Sequence, residues 1–202
     1  MSDRHTKRIK KLILSLLIMF SVILPHTNYV SAASNLNIYI YSAINTNGSF
    51  SGSSGLGNSH AWIVIKNNTS SAVTVGRYKL NANASVTIGT WGNTTPTGIW
   101  YNKERNKISE FQNNNNTVYK TASISTSKLS KINSTINSSD TWGLLNNCTH
   151  FAIRVWNSAG DTQISSCTTP AQLRNKIINT GSYSTGTTNA AFRNAPNSVK
   201  KH

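Results

Sequence analysis

The sequence predicts an α+β fold in which an antiparallel sheet packs against a helix that begins at a cysteine. Two observations support this prediction. Short β-rich runs separated by turn-forming residues occupy residues 35–124, whereas apolar residues three and four positions apart occupy residues 125–181. The chain of 202 residues contains no internal repeat, so we assign one domain to residues 33–181.

The strand predictions rest on alternating polarity and on turn-forming residues. Residues 35–43 alternate apolar and polar side chains, as a half-buried strand does. The runs HAWIVIK (60–66) and AVTVGRY (72–78) flank the turn-forming sequence NNTSS, which predicts a hairpin. Residues 85–91 continue the meander, and residues 117–124 are a further strand candidate.

Helices are predicted in the second half of the domain. Residues 125–138 and 148–158 each carry apolar side chains three or four positions apart, which predicts two amphipathic helices. A third helix is predicted within residues 169–181, where a proline takes the first helical position and a glycine ends the helix. Residues 182–202 are rich in Ser, Thr, Gly and Asn, which predicts a flexible C-terminal tail.

The N-terminal segment, residues 1–32, has the pattern of a secretory signal peptide. Five basic residues precede the apolar run LILSLLIMFSVIL (12–24), and small side chains at 31–32 suit a cleavage site. The run is shorter than the roughly 20 residues that a membrane span needs. We therefore predict a secreted or cell-wall-associated protein with no membrane span after processing, and a retained N-terminal anchor is the alternative.

The charge composition excludes several classes of site. Lys and Arg number 20 against 5 Asp and Glu, and removal of residues 1–32 leaves a net charge of +11. So few carboxylates argue against a paired-carboxylate glycosidase, a calcium loop or a two-metal nuclease. Zinc-type Cys and His spacing is also missing, so we expect no metal and no other cofactor. The scattered basic residues favour attraction to an anionic envelope polymer, without specific recognition of nucleic acid.

The candidate catalytic residues are Cys148 and His60. Cys148 stands at the predicted start of a helix, where unpaired N–H groups and the helix dipole favour a thiolate. A thiolate becomes a competent nucleophile when a nearby imidazole transfers protons. His60 begins an apolar strand, and packing of that strand against the helix would bring the imidazole to the sulfur. His150 lies two positions beyond Cys148, points away from it on a helix, and is predicted to be structural.

The stretch TWGLLNNCTHFAIRVWN (141–157) resembles the nucleophile helix of the circularly permuted papain-like cysteine hydrolases. That group includes the permuted NlpC-type cell-wall hydrolases and the lecithin-retinol-acyltransferase-like enzymes. Its pattern Asn-Cys-x-His-Phe is matched by Asn147, Cys148, His150 and Phe151. Its catalytic histidine comes earlier in the chain, on a strand that starts His-Ala or His-Trp, and is matched here by His60 in SHAWIVI. The resemblance covers about residues 58–181.

The resemblance implies a permuted papain-like (NlpC-type) fold with Cys148 as nucleophile and His60 as general base and acid. It also implies that the Cys148 backbone N–H helps to form an oxyanion hole, and that cell-wall peptide is the substrate. The group usually carries a third polar residue on the strand after the histidine strand. A hairpin that turns near Thr69 would place Tyr78 opposite His60, but residues 72–91 hold no His or acid. The third residue is therefore left unassigned.

Two alternatives remain open. The same fold and dyad would serve an acyltransferase or lipid-ester hydrolase that acts on an acylated substrate. A disulfide between Cys148 and Cys167 would instead favour a non-catalytic secreted binding module or a toxin-like module, since paired cysteines in exported proteins commonly form bridges. The redox state of the two thiols separates the enzymes from the binding module.

Overall fold

A computed structural model describes residues 35–44, 59–112, 117–160 and 162–202, so the predicted signal peptide lies outside the described residues. The strands in this part of the chain are β1 Leu36–Ala43, β2 His60–Asn67, β3 Val73–Val75, β4 Tyr78–Leu80, β5 Ser85–Trp91, β6 Gly98–Tyr101, β7 Thr117–Ile124, β8 Ser184–Thr185 and β9 Lys200–Lys201. The helices are α1 Lys103–Asn106, α2 Ile108–Gln112, α3 Thr126–Asn137, α4 Cys148–Ser158, α5 Pro170–Asn179 and α6 Ala190–Arg193. Within these ranges no helix is long and apolar enough to cross a bilayer.

The main sheet is antiparallel and contains seven strands in the order β8-β7-β1-β2-β5-β6-β9. β1, β2 and β5 lie at its centre and are almost entirely buried, which explains the continuous apolar run of β2. The predicted α+β class is confirmed.

The predicted hairpin between residues 60–66 and 72–78 is wrong. β2 pairs with β5, with Ile63 opposite Ile88, whereas β3 and β4 form a separate two-stranded sheet. The turn of that small hairpin contains Gly76, whose φ of 59° suits a residue without a Cβ. The run AVTVGRY thus folds back on itself, and Tyr78 packs against Tyr101 instead of lying opposite His60.

The helices predicted for the second half of the domain are confirmed. α4 packs on β2, α3 packs on α4, and α5 packs on β1 and β7. α5 begins with a capping box in which Thr169 and Gln172 each bond to the other's backbone N–H, so the start of this helix is fixed locally. One buried apolar cluster joins these helices to the sheet through residues such as Ile63 and Phe151.

A second apolar cluster covers the opposite face of the sheet, and the C-terminal segment supplies part of it. Phe192 of α6 is fully buried against Tyr41 and Trp62. β8 and β9 pair with the outer strands β7 and β6. The prediction that residues 182–202 form a flexible tail is therefore corrected: this polar segment contains one aromatic anchor and closes both edges of the sheet.

Candidate active site

His60 is the first residue of β2 and is buried among aromatic rings. Its ring centroid lies 4.2 Å from that of Trp91, 5.8 Å from that of Trp62 and 6.3 Å from that of Phe111. Only 6 % of His60 is exposed, so its ring has little freedom to turn. The strand and its aromatic neighbours thus fix the imidazole in one position.

Cys148 is the first residue of α4, and Asn147 holds the start of that helix. The Asn147 side-chain oxygen accepts hydrogen bonds from the backbone N–H groups of Thr149 and His150, at 3.0 and 3.2 Å. Its amide nitrogen donates to the carbonyl oxygen of Thr168 at 2.9 Å. Asn147 therefore serves as an N-cap that positions the half-buried Cys148.

The structure brings the two predicted catalytic side chains together. The Cys148 thiol and the His60 imidazole meet across the contact between α4 and β2, where each shifts the pKa of the other. The backbone N–H of Ala61 also helps to lower the pKa of this thiol. The Cys148 sulfur therefore faces the first two residues of one buried strand.

Glu104 completes the site, and the sequence analysis did not identify it. Its Oε1 lies 3.0 Å from His60 Nε2 and 2.8 Å from Trp91 Nε1, and its Oε2 accepts from Thr87 Oγ1 at 2.8 Å. This fully buried carboxylate on α1 has three partners. Because His60 Nε2 faces Glu104, Nδ1 is the nitrogen available to the Cys148 sulfur.

Two local features allow the Glu104 carboxylate to reach His60. Asn102, with a φ of 60°, reverses the chain before α1, and its side-chain oxygen accepts from the backbone N–H of Thr87 at 3.2 Å. Gly89 supplies the space: a Cβ there would lie 2.0 Å from Glu104 Oε1 and 3.0 Å from His60 Nε2. Glycine at this position is thus a requirement of the site.

The electrostatics of the site favour a thiolate–imidazolium pair. Burial opposes protonation of His60, but the Cys148 thiolate and then Glu104 outweigh it and raise the pKa of His60 to about 9. Burial likewise opposes ionisation of Cys148, but the charge and hydrogen bond of His60 outweigh it and lower the pKa of this thiol. The two shifts therefore favour the charged pair over the neutral thiol and imidazole.

The backbone around Cys148 leaves a donor for a developing oxyanion. The Cys148 N–H has no hydrogen-bond partner among the described residues, since the Asn147 oxygen is used by the next two N–H groups. It lies at the positive end of the α4 dipole, where negative charge is stabilised.

The remaining candidates lie apart from this centre. His150 Nδ1 lies 3.1 Å from the Asn147 side-chain oxygen, consistent with its predicted structural role. Cys167 is buried in the main apolar cluster. Both Cys148 and Cys167 are free thiols, so the disulfide of the binding-module alternative is not formed.

The described residues contain no group of three or more His, Cys, Asp and Glu side chains that could hold a metal ion. Comparisons of the chain with protein-family models, with curated proteins and with solved structures find no match.

Proposed function

We propose that the chain is an exported cysteine hydrolase of the permuted papain-like fold that cleaves an amide bond in cell-wall peptide. The observation that carries this proposal is the series formed by the Cys148 sulfur, the His60 imidazole and the Glu104 carboxylate. A charged thiolate, a proton carrier and a group that orients the carrier are the parts that nucleophilic acyl transfer requires.

In the proposed reaction, the Cys148 thiolate attacks the carbonyl carbon of the scissile amide, and the Cys148 N–H stabilises the resulting oxyanion. The C–N bond then breaks as the His60 imidazolium donates its Nδ1 proton to the leaving nitrogen. This step leaves a thioester on Cys148 and a neutral imidazole.

Water completes the cycle. Neutral His60 takes a proton from the water that attacks the thioester, and rupture of the C–S bond releases a carboxylic acid and restores the thiolate. Glu104 keeps its hydrogen bond to His60 Nε2 throughout, so that Nδ1 faces the reacting atoms. Glu104 is a positioning residue in this scheme.

The substrate proposal has separate support. The signal-peptide pattern of residues 1–32 favours export, and the net charge of +11 on the remaining residues favours an anionic envelope. The resemblance of residues 141–157 to permuted NlpC-type hydrolases adds cell-wall peptide as the substrate class.

The proposal is tested by incubating the processed protein with soluble cell-wall peptide fragments and with acyl esters, and by identifying products by mass spectrometry. We expect peptide cleavage that Cys148→Ala abolishes and the matched control Cys167→Ala retains. Cleavage that survives in Cys148→Ala would overturn the mechanism. Turnover of acyl esters alone would retain the mechanism and replace the substrate by the acylated alternative.

A further inference from the structure

Two leucines next to the catalytic centre are unusually exposed. Leu144 is 69 % exposed and Leu145 is 81 % exposed, whereas the other exposed large hydrophobic residues in the described ranges, Tyr183 and Val199, reach 44 % and 40 %. Exposed neighbouring apolar side chains of this size commonly mark an interaction site. The proposed hydrolytic reaction assigns them no role.

The leucines form the tip of a tight turn that the surrounding residues hold in place. The backbone N–H of Asn146 donates to the Gly143 carbonyl oxygen at 3.0 Å, and the Asn146 side-chain amide donates to the Thr141 carbonyl oxygen at 2.6 Å. The Arg154 guanidinium donates to the Asn146 side-chain oxygen. The tip is therefore a supported projection of the surface.

The tip is also fixed relative to the nucleophile. The Asn147 side-chain amide donates to the Leu144 carbonyl oxygen at 3.3 Å, and Cys148 follows directly in the chain. Trp142 precedes the turn and packs closely on Gly92. Whatever binds Leu144 and Leu145 thus lies at the turn that leads directly into the Asn147 cap and Cys148.

One positive charge, that of Arg154, supports the base of the tip. Arg154 has no acidic partner among the described residues. The three acidic side chains in these ranges pair with other residues: Glu104 with His60, Glu110 with Lys107, and Asp140, which precedes the turn, with Lys201. The chain beyond residue 32 carries a net charge of +11. A partner of negative charge is attracted to this surface, and a partner of positive charge is repelled.

The small apolar area and the positive charge decide which kind of partner fits the Leu144–Leu145 tip. A second copy of the chain brings the same positive charge, and two leucines cannot supply the roughly 800 Å² per partner that a stable protein interface buries. An anionic lipid bilayer meets both conditions, because it accepts a small apolar projection and attracts basic residues. We propose that the Leu144–Leu145 tip inserts into an anionic phospholipid bilayer, which places Cys148 at the membrane surface.

Vesicle sedimentation tests this proposal with the processed protein. We expect binding to vesicles of phosphatidylglycerol and phosphatidylcholine, weaker binding as salt increases, and little binding to phosphatidylcholine alone. The double variant Leu144→Ser/Leu145→Ser should bind the mixed vesicles about tenfold more weakly or worse, since each leucine loses its transfer into the hydrocarbon. The matched control Tyr183→Ser/Val199→Ser removes two other exposed apolar side chains and should bind like the wild type.

Three results would overturn the proposal. The double variant could bind as tightly as the wild type, the wild type could fail to bind the mixed vesicles, or the wild type could form a dimer that the double variant loses. The alkylation rate of Cys148 in each variant reports whether the catalytic centre is intact. A failure of membrane binding is thereby distinguished from a failure of the proposed hydrolase function.

Discussion

The two cysteines occupy similar places in the sequence and opposite electrostatic surroundings in the structure. Cys148 begins α4, and Cys167 lies two residues before the capping residue of α5. Burial opposes ionisation of both thiols, but His60 overcomes it and lowers the pKa of Cys148, whereas burial raises the pKa of Cys167 despite the charge of Lys176. The neighbouring His60, more than proximity to a helix start, separates the thiol with a lowered pKa from the thiol with a raised one.

Among the predicted effects, the largest is the difference in kcat/KM between the variants that lack Cys148 and those that lack Cys167. We expect Cys148→Ala to lower kcat/KM by about three orders of magnitude or more, because the nucleophile is lost. Cys167→Ala removes a small core side chain and should leave kcat/KM unchanged. Steady-state kinetics on the cleaved substrate measure both values, and a comparable loss in the two variants would contradict the assigned roles.

Removal of the His60 imidazole should bring the alkylation rate of Cys148 closer to that of Cys167. In His60→Gln, Cys148 loses the imidazolium that lowers its pKa, so its alkylation near pH 6 should slow by about 100-fold. The alkylation rate of Cys167 in the same sample serves as the internal control. Peptide mapping after timed iodoacetamide treatment gives both rates, and an unchanged rate at Cys148 would assign its reactivity to the helix start alone.

Substitution of Glu104 should reduce activity less than loss of His60, and the size of the reduction should depend on pH. Its carboxylate contributes to a His60 pKa of about 9, so Glu104→Gln should lower this pKa and move the alkaline fall in activity to lower pH. We also expect kcat to drop by about tenfold as the imidazole loses its orientation. Glu110→Gln, which removes only the exposed pair with Lys107, is the control and should leave the pH profile unchanged.

Substitution of Gly89 should lower both the stability of the fold and the activity of the site. A Cβ at Gly89 would collide with Glu104 and His60, so Gly89→Ala should destabilise the fold by about 1–3 kcal/mol and reduce activity. Gly143 has no atom within 4 Å of an added Cβ, so Gly143→Ala is the matched control. Denaturant unfolding measures the difference, and equal stability of both variants would show that the site accommodates the methyl group.

The dyad was predictable because its two members lie in strong local patterns. His60 begins a continuous apolar run, and Cys148 begins an amphipathic helix after an Asn that caps it. Such patterns reveal the elements, and the resemblance over about residues 58–181 indicated which two side chains should meet.

Glu104 was not predictable in this way because its role depends on tertiary contacts. It lies on a helix of four residues beyond β6, outside the strand segment in which a third residue was sought. Its burial comes from Thr87, Trp91 and the space at Gly89, which β-strand patterns alone do not reveal. The scarcity of acids in the sequence was the one available signal.

The C-terminal segment was misjudged for a related reason. Its Ser- and Asn-rich composition suggests weak packing, yet Phe192 and its neighbour Ala191 anchor it to the second face of the sheet. The Ser198 carbonyl oxygen also accepts from the Asn102 side chain at 3.2 Å, which ties this segment to the turn before Glu104. Composition averages over a segment and conceals single contacts of this kind.

The pH dependence of Cys148 alkylation tests the central claim, a thiolate–imidazolium pair, most directly. Timed iodoacetamide labelling between about pH 4 and pH 10, with each cysteine followed by peptide mass, yields the two titration curves. The pair predicts that Cys148 is already labelled rapidly below neutral pH, while Cys167 is labelled only as the solution becomes alkaline. Coincident curves, both rising in the ordinary thiol range of about pH 8–9, would contradict the pair.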